Sequence, residues 1–119
     1  MVDSTRVLLA GFLVALALAG SIPAFGSSPK RVTKVYVTEF EFGFKLSRQT
    51  VPAGRVMFLM RNNGGIVHNF DLIGVKVGSF LLHGQTASMT ASLKRGEYTY
   101  VCSVKYHAAQ GMQGTLYVK

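Results

Sequence analysis

The sequence is short of several things. It holds one cysteine, no tryptophan, three prolines and five acidic residues in 119 positions. A single cysteine excludes an internal disulfide. It also excludes a two-copper centre, which needs two bridging thiolates, and leaves a thiol redox enzyme without the second cysteine that resolves its intermediates. Three histidines are too few for a multicopper oxidase. Asp71 and Glu97 form no recognisable carboxylate pair for acid and base chemistry. Beyond Gly26 no apolar pattern recurs every 3.6 residues, which argues against a helical fold. There is no internal repeat and no low-complexity linker beyond Ser27 to Lys30.

The scarcity of acids leaves a formal charge of +8. The basic residues are scattered, as a solvated surface would have them. They also suit steering toward an acidic partner or an anionic membrane surface. An exported chain without a basic helix or an aromatic stacking motif argues against nucleic acid.

Export is read from the start of the chain. Arg6 precedes an uncharged stretch rich in Leu, Ala and Val. Pro23 and small residues at 24 and 26 follow, then Ser27-Ser-Pro-Lys-Arg31. That order resembles a secretory signal peptide cleaved after Gly26. The rival is an uncleaved anchor, because Val7 to Phe25 offers 19 uncharged residues, inside the range that spans a bilayer. No cysteine lies near this segment, so lipid attachment through an N-terminal cysteine is excluded. The expected organisation is a signal peptide or membrane anchor over 1–26 and one domain over 27–119. Exported proteins usually pair their cysteines, and ligation of a metal explains why a lone thiol would persist there.

The remaining chain reads as about eight short strands between turn signals. Val32 to Phe44 is rich in Val, Thr, Tyr and Phe, and Val51-Pro-Ala-Gly54 is a turn. Val56 to Met60 is an apolar strand, and Asn62-Asn-Gly-Gly65 signals a hairpin. Ile66 to Ile73 is expected to return as a strand carrying His68. Thr86 to Leu93, Tyr98 to Cys102 and Gly114 to Lys119 complete the set. The expected fold is an all-β, antiparallel Greek-key sandwich.

Cys102, His107 and Met112 lie within eleven residues, Cys102 ending one strand and the other two on the loop to the last strand, and His68 stands far upstream. Two histidines and a cysteine in a trigonal plane, with a weak axial methionine, form the ligand set of a blue-copper site. The soft thiolate and thioether hold Cu(I), and imidazole suits both oxidation states. A short loop supplies three ligands at small entropic cost. Zinc would accept Cys and two His, but methionine is a poor zinc ligand. Taken singly, His68 reads as a core histidine, Cys102 as a small buried hydrophobe and Met112 as packing; together they fit one coordination geometry. His83 has no partner in any motif and reads as a surface-loop residue. Met57, Met60 and Met89 read as core, and Tyr98 and Tyr100 as strand packing.

These stretches resemble the cupredoxins, the small blue copper proteins that include plastocyanin, azurin and rusticyanin. Asn62-Asn-Gly-Gly-Ile-Val-His68-Asn69-Phe70 is similar to the family's first-histidine region. Gly96 to Cys102 is similar to the strand that leads to the copper cysteine, and His107 to Leu116 to the final loop and strand. The resemblance implies that His68 and His107 bind copper through ring nitrogens, Cys102 through its thiolate and Met112 as the axial ligand. It implies that Asn69 ties the ligand loops together, and that His107 presents its edge to partner proteins, with Ala108, Ala109 and Gly111 in a docking patch. The implied cofactor is one type 1 copper ion. The implied partners are redox proteins as electron donor and acceptor, with acidic docking surfaces, and the implied state is a monomer. A membrane tether through residues 7–25 is the variant of this reading. The functional expectation is an exported one-electron carrier and not an enzyme. Its alternatives are a periplasmic protein for copper delivery or resistance, and a metal-free interaction module.

One departure stands out. The family usually has Pro-Gly immediately before the second histidine, and here Lys105 and Tyr106 occupy those positions. Glycine permits a positive φ there. The expectation is a small shift of the loop; if it keeps its path, Tyr106 is strained by about 1 kcal/mol or more.

Overall fold

The computed structural model describes Gly11 and residues 13–119. Valine, threonine and aromatic residues dominate the stretches that become strands, as β-branched and ring side chains suit a half-buried pleated surface. Among the described residues there are eight: β1 (Val32–Phe40), β2 (Gly43–Leu46), β3 (Thr50–Val51), β4 (Gly54–Asn62), β5 (Asp71–Leu72), β6 (Thr86–Leu93), β7 (Gly96–Val101) and β8 (Gln113–Val118). One sheet has the order β2-β1-β4-β6 and the other β3-β8-β7-β5. A single 3-10 turn, Ala108–Gln110, interrupts the link between β7 and β8.

The sandwich is as expected, but its sheets are mixed rather than antiparallel. β1 runs parallel to β4, with Val35 opposite Phe58 and Val37 opposite Met60. β3 runs parallel to β8. The reason lies in the connection. After the β1–β2 hairpin the chain crosses to the other sheet at β3 and returns, so β4 enters beside β1 in the same direction. A crossover of this kind is what parallel pairing requires.

The hairpin expected at Asn62 to Gly65 is a turn without a hairpin. Asn62 is fully buried; its side-chain oxygen accepts the Gly64 N–H at 2.7 Å. Its amide donates to the carbonyls of Ile66 and Leu81 at 2.8 and 2.7 Å. The returning segment does not pair with β4. His68 forms an isolated bridge with Leu81, and only Asp71–Leu72 is strand, paired with β7 in the opposite sheet.

Between the sheets lies an apolar core led by Val35, Val37, Phe58, Phe70, Leu72, Tyr100 and Leu116. Phe70 is its hub. It stacks on Tyr100 at 5.2 Å, meets Phe44 edge-on at 5.3 Å and tilts against Phe58 at 5.3 Å. Met60 and Met89 are buried as expected, whereas Met57 is half-buried on the outer side of β4. Tyr100 is core, and Tyr98 donates its hydroxyl to the Lys94 carbonyl at 2.8 Å.

Part of the expected signal or anchor segment, residues 1–10 and 12, lies outside the described residues. Residues 13–31 carry no regular secondary structure, and Leu13, Leu16, Leu18, Ile22 and Phe25 are exposed. Among the described residues no helix is long and apolar enough to cross a membrane.

Because Phe70 joins both sheets two residues from His68, Phe70→Ala should cost about 3–5 kcal/mol of stability. Urea unfolding measures this; a loss below about 1 kcal/mol would mean the two sheets do not depend on that ring.

Candidate metal centre

Two segments meet at one end of the sandwich. The 63–70 segment brings His68, held by reciprocal backbone bonds with Leu81 at 3.1 and 2.8 Å. Cys102 follows the last residue of β7. His107 precedes the 3-10 turn and Met112 follows it. The loop is closed by its own backbone: Cys102 N–H donates to the Met112 carbonyl at 3.0 Å, and Met112 N–H to the His107 carbonyl at 3.1 Å. The side chains of His68, Cys102, His107 and Met112 are all buried.

The donor atoms converge. Nδ1 of His68 lies 3.1 Å from Nδ1 of His107. The Cys102 sulfur lies 3.5 Å from Nδ1 of His107 and 4.0 Å from Nδ1 of His68. Two imidazole nitrogens and one sulfur, all within 4.8 Å of one another, form the only such cluster of metal-binding groups among the described residues. The structure brings these three expected residues together, and the backbone ties Met112 to Cys102 and His107.

Protonation favours a cation here. Burial, helped by the nearby His68, pushes the His107 proton affinity down, so its ring is neutral near pH 7. Burial pushes the Cys102 thiol up, and the backbone N–H groups of Asn69 and Val104 oppose this by favouring the thiolate. A buried thiol that already receives N–H donors is poised to ionise once a cation arrives. His68 Nε2 faces Glu41 Oε1 at 2.9 Å. A carboxylate only accepts, so Nε2 carries the proton and Nδ1 keeps its lone pair toward the cluster. The N–H of Ile66 on the same oxygen is the main reason that the Glu41 carboxyl is held down at about 2. The donor set is thus a soft sulfur plus two imidazole nitrogens in a buried site, which fits a copper ion. His68, Cys102, His107 and Met112 are arranged as a type 1 copper site.

The surroundings hold further expected features. Asn69 donates to Ser103 Oγ at 2.8 Å and to Asp71 at 2.9 Å, and accepts the Ser103 N–H at 2.8 Å. It thereby joins the His68 segment to the Cys102 loop. His107 is 6% exposed, less than a solvent-facing edge implies, because Phe42 packs edge-on against it at 5.0 Å. Tyr106 has φ 69°: the loop keeps the left-handed residue expected of glycine rather than shifting. His83 is exposed, yet its Nδ1 bonds the Gly64 carbonyl at 2.7 Å.

Sequence reasoning missed two acids. Glu41, in the β1–β2 turn, has no spacing that points to His68. Glu39 had a signal, since strand alternation puts it on the inward face with Val35 and Val37. It is fully buried, and neither carboxylate oxygen has a hydrogen-bond partner.

With the geometry in place, the comparisons are direct. A family model of the cupredoxin-like domain matches residues 8–118, and the chain belongs to the cupredoxins. Among solved structures, auracyanin B is 18% identical, with 77% of this chain and 91% of that one covered at a TM-score of 0.63. Rusticyanin is 24% identical, with 77% and 80% covered at 0.63. A chain of a heme-copper terminal oxidase is 20% identical, with 76% and 65% covered at 0.63. At these identities the likeness is one of fold. A comparison with curated protein sequences finds no match.

Burial holds the Glu39 carboxyl up at about 7 from 4.5, which fixes a pH dependence. The unfolded chain releases this proton near the lower value and the folded chain near the upper one. Between them the folded state binds more protons, so stability falls as pH rises through the window and is level above it. Glu39→Gln removes this loss. Its stability relative to the parent should rise by about 2–3 kcal/mol between pH 5 and pH 8, read by urea unfolding at both. A constant difference would mean that the carboxyl is not held protonated by burial.

Proposed function

We propose that this chain is an exported blue copper protein that carries single electrons between redox proteins. The observation that carries the reading is the buried convergence of two Nδ1 atoms and one thiol sulfur, within 4.8 Å of one another. In this reading His68, Cys102 and His107 hold the metal and Met112 is the axial ligand. A copper ion held there supplies a one-electron couple between Cu(I) and Cu(II).

The chain's own residues do the rest. Hydrogen bonds through Asn69 and the Cys102–Met112 backbone pair keep the donors in place in either state. A site that does not rearrange fits a carrier, because little reorganisation accompanies the transfer. His107 is the ligand nearest the surface, with Lys105 and Tyr106 exposed beside it. That rim, on a chain of +8, suits a partner with an acidic docking surface. The chain is read as a carrier and not an enzyme, because the four converging side chains are buried and leave a substrate little access. Residues 1–26 are read as the signal peptide or anchor and 27–119 as the domain, which places the protein in the periplasm or another extracytoplasmic compartment. The exposed apolar residues between Leu13 and Phe25 support this, since they do not pack on the sandwich.

Adding Cu(II) to the purified chain should give an intense thiolate-to-copper band and a small copper hyperfine splitting in the electron paramagnetic resonance spectrum. Cys102→Ser should abolish both. A pale adduct, or a blue band that survives in Cys102→Ser, would overturn the proposal. Rapid loss of copper to a competing chelator would favour delivery over electron carriage.

Met112→Leu should leave a coloured site and raise the reduction potential, because a weaker axial donor stabilises Cu(II) less. An unchanged potential in cyclic voltammetry would remove Met112 from the ligand set.

A further inference from the structure

The Glu41 carboxylate touches the far side of the His68 ring, and its surroundings look built for that contact. His68 is fully buried while Glu41 keeps a third of its side chain exposed. The carboxylate is therefore the only partner that Nε2 has on that side among the described residues. Oε1 takes the His68 Nε2–H at 2.9 Å and the backbone N–H of Ile66 at 3.0 Å. One oxygen thus binds the ligand ring and the backbone two residues before it. Gly64 makes room for this. A Cβ at Gly64 would collide with Glu41 Oε1 and lie 2.8 Å from His68 Nε2. His83 holds Gly64 from the other side through its carbonyl, which gives that otherwise unassigned histidine a place in the same arrangement.

We infer that Glu41 is a positioning residue of the metal centre: it fixes the His68 tautomer and sets the balance between the two copper oxidation states. The inference rests on the copper reading for its second half only. Holding the proton on Nε2 leaves the Nδ1 lone pair facing Cys102 and His107 in every molecule, loaded or not. A hydrogen bond from a ligand imidazole to a carboxylate also makes the ring a stronger donor. The negative charge then favours the more highly charged metal state. The contact lowers the reduction potential relative to a neutral acceptor in the same place.

Two variants separate orientation from charge. Glu41→Gln keeps an acceptor oxygen and loses the charge, whereas Glu41→Ala loses both. Nitrogen-15 NMR of the metal-free full chain at pH 8 should show His68 protonated at Nε2 in the parent and in Glu41→Gln. In Glu41→Ala it should show a mixture of tautomers. In the copper-loaded protein, Glu41→Gln should lower the ratio of Cu(II) to Cu(I) affinity by roughly tenfold, a rise of about 59 mV for a one-electron couple. Gly64→Ala crowds both the carboxylate and His68 Nε2, so it does not separate the two effects. A merely structural Glu41 would change stability and leave tautomer and potential alone.

An unchanged tautomer in Glu41→Ala, or a potential in Glu41→Gln that shifts by less than about twofold in affinity ratio, overturns the inference. If Glu41→Ala does not fold, Glu41→Ser, which also withdraws the acceptor from His68 Nε2, decides the orientation by the same NMR readout. A parent protein without a blue band would sink the copper reading alone, since the tautomer test is made without metal.

Discussion

Two imidazole nitrogens 3.1 Å apart, both buried, cannot each carry a proton. This one contact constrains everything around it. In the metal-free chain at most one proton fits between the two Nδ1 atoms, and the Glu41 carboxylate behind His68 favours His107 as its source. Because the carboxylate takes the Nε2–H of His68, the Nδ1 of His68 is the acceptor and His107 the donor. Burial of His107 keeps a second proton out. Two crowded imidazole nitrogens beside a buried thiol make a poor hydrogen-bonded core, and a soft cation held there would relieve that crowding.

The rest of the fold holds those donors where they do not suit themselves. Phe70 anchors the His68 segment from below through its contacts in both sheets. Asn62 and Asn69 hold it from the sides, one through Leu81 and the other through Ser103. Each asparagine combines an acceptor oxygen with an NH2 that has two donors, so one buried side chain joins backbone segments that no strand pairing connects. The mixed sheets follow the same logic. β5 is two residues long because the segment between His68 and Leu72 serves the site first and the sheet second.

How far this was legible can be argued residue by residue. The ligands were readable because a lone cysteine, two histidines and a methionine are scarce types whose chemistry is specific, and their spacing survives any detail of the fold. The strands were readable from β-branched and aromatic runs. Strand direction was not, because the pairing of β1 with β4 depends on a crossover through β3, a residue pair too short to announce itself. The hairpin at Asn62 was misread for a related reason: the chain does bend there, but without the positive φ of an Asn-Gly hairpin turn, and the buried Asn62 side chain ties it across to Leu81. Glu41 was invisible because its partner lies 27 positions away and nothing local marks it. Glu39 was hidden differently. Alternation points it inward, and only the expectation that charges face water argued otherwise.

Tyr106 shows how much backbone the site demands. A left-handed φ of 69° in a tyrosine costs about 1 kcal/mol or more, and a looser loop would relax it. It does not relax, because His107 N–H is held by the Val104 carbonyl at 3.0 Å and the Tyr106 carbonyl accepts from Gln110 at 3.2 Å. Moving Tyr106 would move His107. The compensation is outside: the ring is exposed and lies under the Lys105 ammonium at 4.9 Å, a cation over an aromatic face. The two histidines therefore end in opposite surroundings. His68 backs onto a carboxylate inside its own loop, and His107 emerges beside a positive, aromatic rim. On the proposed reading, an internal negative charge would act on the metal's oxidation state at short range, whereas the rim, screened by solvent and salt, would act on what approaches. Tuning of the site and choice of partner would then fall to different ligands.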